Sequence, residues 1–147
     1  MYRYSKIKKT IYRVEINSKA YQCIICFRSE PTWRIDRLDF GSIAIETPIK
    51  DIHPVMIDYE SRMEGVDFRR IYDTIAEICF HRIQNVDKII YLRADSSQKL
   101  LMLRWFVNKH LRRFSFVANV YAVVNGEQII YSRDIDPDPS VYLIVPK

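Results

Sequence analysis

Val55-Met-Ile-Asp-Tyr-Glu-Ser-Arg-Met-Glu-Gly-Val-Asp67 is the stretch on which the reading of this chain depends. Val55–Tyr59 reads as a short strand, Arg62-Met-Glu-Gly65 as a glycine-bearing turn, and Asp67 as the cap of a helix running to about Ile83. Phe68, Ile71, Tyr72, Ile75, Cys79 and Ile83 recur with the helical period and form one apolar stripe. Lys88-Ile-Ile-Tyr-Leu-Arg93 then reads as a strand, and Ser96 to about Arg112 as a second helix capped by Asp95 or Ser96. Its buried side should hold Leu100, Leu103, Phe106, Val107, His110 and Leu111. A helix linking two strands implies parallel neighbours and a right-handed crossover, so Val55–Tyr59 is expected beside Lys88–Arg93.

Upstream, Thr10–Ile16 alternates as a strand does, and Ala20–Arg28 is apolar on both faces, as in a central strand. Asn17-Ser-Lys19 turns one into the other. Ser29-Glu-Pro31 breaks the run, and Trp33–Glu46 holds one or two further strands with Gly41 as a bulge or bend. Thr47-Pro48 and His53-Pro54 bracket a loop. Downstream, Phe116–Val124 and Glu127–Ser132 flank Asn125-Gly126, the strongest hairpin signal in the chain. Val141–Val145 is a last strand. The expected fold class is α/β in the α+β sense: a mixed, mostly antiparallel sheet around a β-α-β-α core.

With 147 residues, 48% of them hydrophobic, and only 3 Gly and 6 Pro, the chain reads as a single domain, 1–147, with a real core. No apolar run reaches the roughly 18–20 residues that span a bilayer. The basic start, Met1 to Lys9, has no apolar segment behind it, so a cytoplasmic protein without a membrane partner is expected. Three cysteines do not suggest a disulfide framework. Cys23 and Cys26 have metal-like spacing, but on a strand they point to opposite faces, and His53, His81 and His110 are scattered. Buried structural thiols and no metal are expected. The net charge of +5, concentrated in Lys6–Arg13 and Lys109–Arg113, is read as solvated faces in preference to a nucleic-acid site.

The element order and the residues Arg62, Gly65 and Val86–Ser97 resemble the GNAT (N-acetyltransferase) superfamily over Val55–Phe116. In that family a strand enters an Arg/Gln-x-x-Gly-x-Gly/Ala turn whose amides hold the diphosphate of acetyl-CoA at a helix start. The resemblance implies a cofactor site for acetyl-CoA or another acyl-CoA on Arg62, Gly65, Val66 and Asp67. Asp67 departs from the family's Gly or Ala. A carboxylate about 4 Å from a phosphate opposes binding by roughly 4 kcal/mol at an effective dielectric near 20.

The family's tyrosine acid falls at Arg104 or Trp105, neither of which donates a proton at neutral pH. Tyr59, Tyr91 and Tyr121 are substitutes, and Glu46 or Glu60 a candidate base; the catalytic residues are left unassigned. The acceptor-side helices of the family have no room between the first two strands, which only Asn17-Ser-Lys19 separates. The expected function is therefore acyl transfer from acyl-CoA to an amine, or a catalytically degenerate relative. The alternative is a non-enzymatic module of the antitoxin, immunity or defence kind with a protein partner, favoured by 10 Tyr and 2 Trp. The chain is also similar to small bacterial domains of unknown function. A ribonuclease H-like reading rests on Asp95 at a strand end, with Glu15, Asp73 and Glu77 as weak companions. Asp134, Asp136 and Asp138 imitate a calcium loop, but Pro139 stands where glycine is needed.

Overall fold

The computed structural model describes residues 1–30, 34–59, 63 and 65–147. Trp33, Glu60 and Arg62 lie outside them. The fold is α+β: one mixed eight-stranded sheet and two long helices. The strands are β1 (Tyr4–Lys8), β2 (Ile11–Val14), β3 (Tyr21–Glu30), β4 (Ile35–Ala44), β5 (Ile89–Arg93), β6 (Ala118–Val124), β7 (Glu127–Ile130) and β8 (Val141–Pro146). The helices are α1 (Phe68–Asn85), between β4 and β5, and α2 (Ser97–Ser115), between β5 and β6. The sheet order is β1-β2-β3-β4-β5-β8-β6-β7. By internal contacts the chain forms two compact units, residues 1–28 with 38–75, and residues 29–37 with 76–147.

In the first unit, β2 pairs antiparallel with β1 and β3. Gln22 through Phe27 are all buried, as the two-sided apolar run predicts for a central strand. Ile11, Ile24, Cys26, Ile43, Ile52 and Ile57 form the core cluster. Burying each of these isoleucines contributes about 1.5–3 kcal/mol. β1 was not expected: Tyr-Ser-Lys-Ile-Lys carries a single aliphatic residue, and its lysines suit a sheet edge that must not pair with another chain.

Val55–Tyr59 is not a strand. Pro54–Met56 is a 3-10 turn with Pro54 at its start, and Asp58 makes one isolated antiparallel bridge to Ser42. Pro54, its φ already fixed near the helical value and with no N–H to leave unpaired, suits the first position of that turn. Asp58 N–H donates to Ser42 O at 2.9 Å, and Ser42 N–H to Asp58 O at 3.0 Å. Gly41 makes this possible: a Cβ there would stand 2.3 Å from the Asp58 carbonyl oxygen. The glycine lies inside β4 and marks a close backbone approach.

β5 has β4 and β8 as its sheet neighbours, and its parallel partner is Ile35–Arg37, matched with Ile89–Tyr91. The parallel strand-helix-strand unit therefore begins at β4, not at residues 55–59.

In the second unit, β8 lies between β5 and β6, antiparallel to both. Asn125 and Gly126 both have positive φ, +52° and +79°, and close the β6–β7 hairpin. Ser96 caps α2, its hydroxyl accepting from Lys99 N–H at 3.2 Å. Leu103, Phe106, Val107 and Phe114 are its buried face, while Leu100, His110 and Leu111 are only half-buried. Phe116, read as the start of a strand, is the helix C-cap and is exposed.

Candidate functional site

The start of α1 is where the family resemblance places an anion. Asp67 caps the helix as expected: its Oδ1 accepts from Arg69 N–H at 3.0 Å, and its carbonyl accepts from Ile71 N–H at 3.0 Å. Gly65 has φ +75°, and among the described residues nothing lies within 4 Å of where a Cβ would stand. Val66 is half-buried, and Arg62 lies outside the described residues.

The Asp67 amide already has an acceptor. It donates to the Tyr2 hydroxyl at 3.0 Å. Tyr2 is held there at both ends, since its backbone N–H donates to Thr74 Oγ1 at 2.9 Å. The buried Thr74 hydroxyl in turn donates to Arg70 O at 2.7 Å. The Arg70 guanidinium covers the Tyr2 ring, 3.9 Å from its centroid. No local pattern links residue 2 to residue 67, so sequence reasoning missed this contact.

The candidate acids and bases are largely committed elsewhere. Tyr59 donates to Pro54 O at 2.8 Å and lies under Arg28, 4.9 Å from the ring centroid. Arg104 donates to Asp138 Oδ1 at 2.9 Å and to the carbonyls of Arg133 and Ile135 at 2.9 and 2.7 Å, so it ties down the acidic loop. Lys109 Nζ stands 5.1 Å from the Trp105 ring centroid. Tyr91 and Tyr121 are half-buried strand residues, in register with Leu143. Glu46 is exposed, and Glu60 lies outside the described residues.

Burial raises the buried thiols and phenols away from useful ranges. Cys23, Cys79 and Tyr72 are each pushed up to about 12 by desolvation, which disfavours thiolate and phenolate. Asp95 pairs with Lys99 at 3.1 Å, and that hydrogen bond chiefly holds its carboxyl below the usual range. Among the described residues no three His, Cys, Asp or Glu side chains group as a metal site.

The strongest charge cluster lies in the second unit, and sequence reasoning did not find it. Asp36 on β4 is fully buried, and its Oδ2 accepts from Arg82 Nε at 2.9 Å and Nη2 at 2.5 Å. Ser29 donates to Oδ1 at 2.8 Å, and Lys88 Nζ lies 3.6 Å away. Burial alone would raise this carboxyl. The hydrogen bonds from Arg82 and Ser29, with the charges of Arg82 and Lys88, outweigh it and hold the group below its usual range. All its donors come from the chain, so the cluster is a pin between strand and helix. The only hint in the sequence is a charged Arg82 between the apolar Cys79 and Ile83.

Comparison with protein-family models, with curated proteins and with solved structures gives no match. Among the described residues no helix is long and apolar enough to cross a membrane.

Proposed function

We propose that the chain is a protein-binding module on a GNAT-like scaffold, catalytically degenerate, of the antitoxin, immunity or defence kind. One observation carries this: the Asp67 amide, which a diphosphate would need, is bonded to the chain's own Tyr2 hydroxyl. The Asp67 carboxylate adds a repulsive charge at the same helix start. Fold alone does not settle function; the parallel pairing of β4 with β5 across α1 supports the scaffold reading, whereas the strand that the resemblance put at Val55–Tyr59 is not formed.

The second reading, an acyl-CoA-dependent N-acyltransferase, is favoured by Gly65, whose φ is positive and which no other described residue crowds where a Cβ would stand. A thermal-shift titration with acetyl-CoA separates the two. The binding module gives no rise in melting temperature at millimolar ligand. A rise that disappears in Gly65→Trp would establish the cofactor site and overturn the module. Tyr2→Phe combined with Asp67→Gly frees the helix start, and a gain of acetyl-CoA binding in that variant alone marks a degenerate acyltransferase.

A further inference from the structure

In the second unit the sheet has two unlike faces. Asp36, Ile90, Ile144 and Val120 form one row across β4, β5, β8 and β6, and all four are buried. Tyr131, also buried, continues the row by donating its N–H to Val120 O. Both helices lie on this face: Arg82 of α1 bonds Asp36, and Arg104 of α2 stands 5.5 Å from the Tyr131 ring centroid. The next residue of each strand points the other way. There Arg37, Tyr91, Leu143, Tyr121 and Ile130 are in register across five strands. None of them is buried, and Ile130 is 77% exposed.

An antiparallel sheet face left to water is ordinarily polar. This one is apolar. Ile89 and Val145 flank the row on one side, Val141 and Val123 on the other, all half-buried. The outward positions of β5, β6, β7 and β8 include no Asp or Glu, and their polar members, Arg93, Asn119 and Gln128, are exposed. The side chains of Tyr91, Tyr121 and Arg93 form no hydrogen bond, ring contact or ion pair with any described residue. The row thus carries two aromatic and two aliphatic side chains that packing leaves partly open.

We infer that this sheet face docks on the same face of a second copy of the chain, forming a two-sheet sandwich about 10 Å thick. The inference goes beyond both readings above and stands under either. Five strands about 4.8 Å apart, with about five residues each, give a footprint of roughly 400 Å² before side-chain relief. Two such faces bury on the order of 1,000 Å², the least that a specific interface needs. The face is also self-complementary. A twofold axis along the strands, between β8 and β6, sets Tyr91 over the partner's Ile130 and Leu143 over the partner's Tyr121. It brings Arg93 beside the partner's Gln128, so like charges do not meet. An apolar core without carboxylates fits a like subunit better than a transient partner, whose interface is more polar. Two arginines are too few for a nucleic-acid track, which commonly neutralises about 6–10 phosphates.

Sedimentation equilibrium of the full chain tests this. Between about 1 and 100 μM the chain should pass from monomer to dimer, with a Kd of micromolar order. Tyr121→Lys and Leu143→Lys each put a charge at the centre of the face and should weaken the dimer about tenfold or more. Circular dichroism checks their folding, and Ile130→Lys, at a site already 77% exposed, gives the same weakening with no buried surface disturbed. Leu101→Lys, on a 65% exposed residue of α2, should leave the dimer unchanged. A chain monomeric throughout overturns the proposal, as does a dimer lost in Leu101→Lys but kept in Tyr121→Lys. A dimer broken by Gln128→Pro alone would mean pairing of β7 edges and overturns it too. So does a monomeric chain whose binding to oligo-dT or phosphatidylserine vesicles disappears in Tyr121→Lys, since the face would then have another occupant.

Discussion

Replacing Arg82 by Met should destabilise the protein by about 3–5 kcal/mol, because it leaves a buried carboxylate without its main partner. In the folded protein Asp36 is wholly buried, and both nitrogen contacts to its Oδ2 come from Arg82. After the substitution, Ser29 at 2.8 Å and Lys88 at 3.6 Å remain, both on Oδ1. The expected loss is a large part of the roughly 5–15 kcal/mol that holds a domain together. Asp36→Val with Arg82→Met removes both charges and should recover most of it.

The pH dependence tests the same physics. In the wild type the Asp36 carboxyl is depressed below 3.8. Its contribution is therefore present above that value and lost as pH falls through the lower folded value. In Arg82→Met, burial dominates and raises the group, so that variant gains relative stability on acidification. The gap between the two proteins should be widest at neutral pH and close as pH falls. Urea unfolding followed by circular dichroism measures it. A loss under about 1 kcal/mol, the size of an ordinary hydrogen bond, or a double variant no better than the single one, refutes the buried-pair argument.

Gly41→Ala should cost about 1–3 kcal/mol, read as a lower melting temperature, since the added methyl meets the Asp58 backbone rather than a flexible side chain. Gly126→Ala should cost about 1 kcal/mol through its φ of +79° alone, with no atom within 4 Å of the new Cβ. Cys23, Cys26 and Cys79 are all buried, and Cys23 and Cys79 are raised to about 12, so a thiol reagent at mildly alkaline pH should label them only as the protein unfolds. Rapid labelling of the native chain would contradict that burial.

Much of this fold was legible in the chain. Ile71, Tyr72, Ile75, Cys79 and Ile83 of the α1 stripe (though not the exposed Phe68), Leu103, Phe106 and Val107 of α2, the Ser96 and Asp67 caps, the two-sided run of β3 and the Asn125-Gly126 hairpin are short-range features. The failures have physical causes. β1 is polar because it is an edge, and edge strands lack the apolar alternation that betrays an inner one. Val55–Tyr59 has the composition of a strand, but Pro54 turns it, and a single bridge to Ser42 is what remains. The resemblance placed an anion at Asp67 from its local turn, whereas the amide there is satisfied by Tyr2.

The amino-acid sequence by itself determined the helices, most of the strands and the α+β class, because periodicity, capping and turn chemistry act between residues a few positions apart. Only the tertiary structure decided that β5 runs beside Ile35–Arg37, that Asp36 is neutralised by Arg82, and that Tyr2 occupies the opening of α1. Those pairings join residues far apart in the chain, and their energy comes from burial and hydrogen bonding that no local pattern encodes.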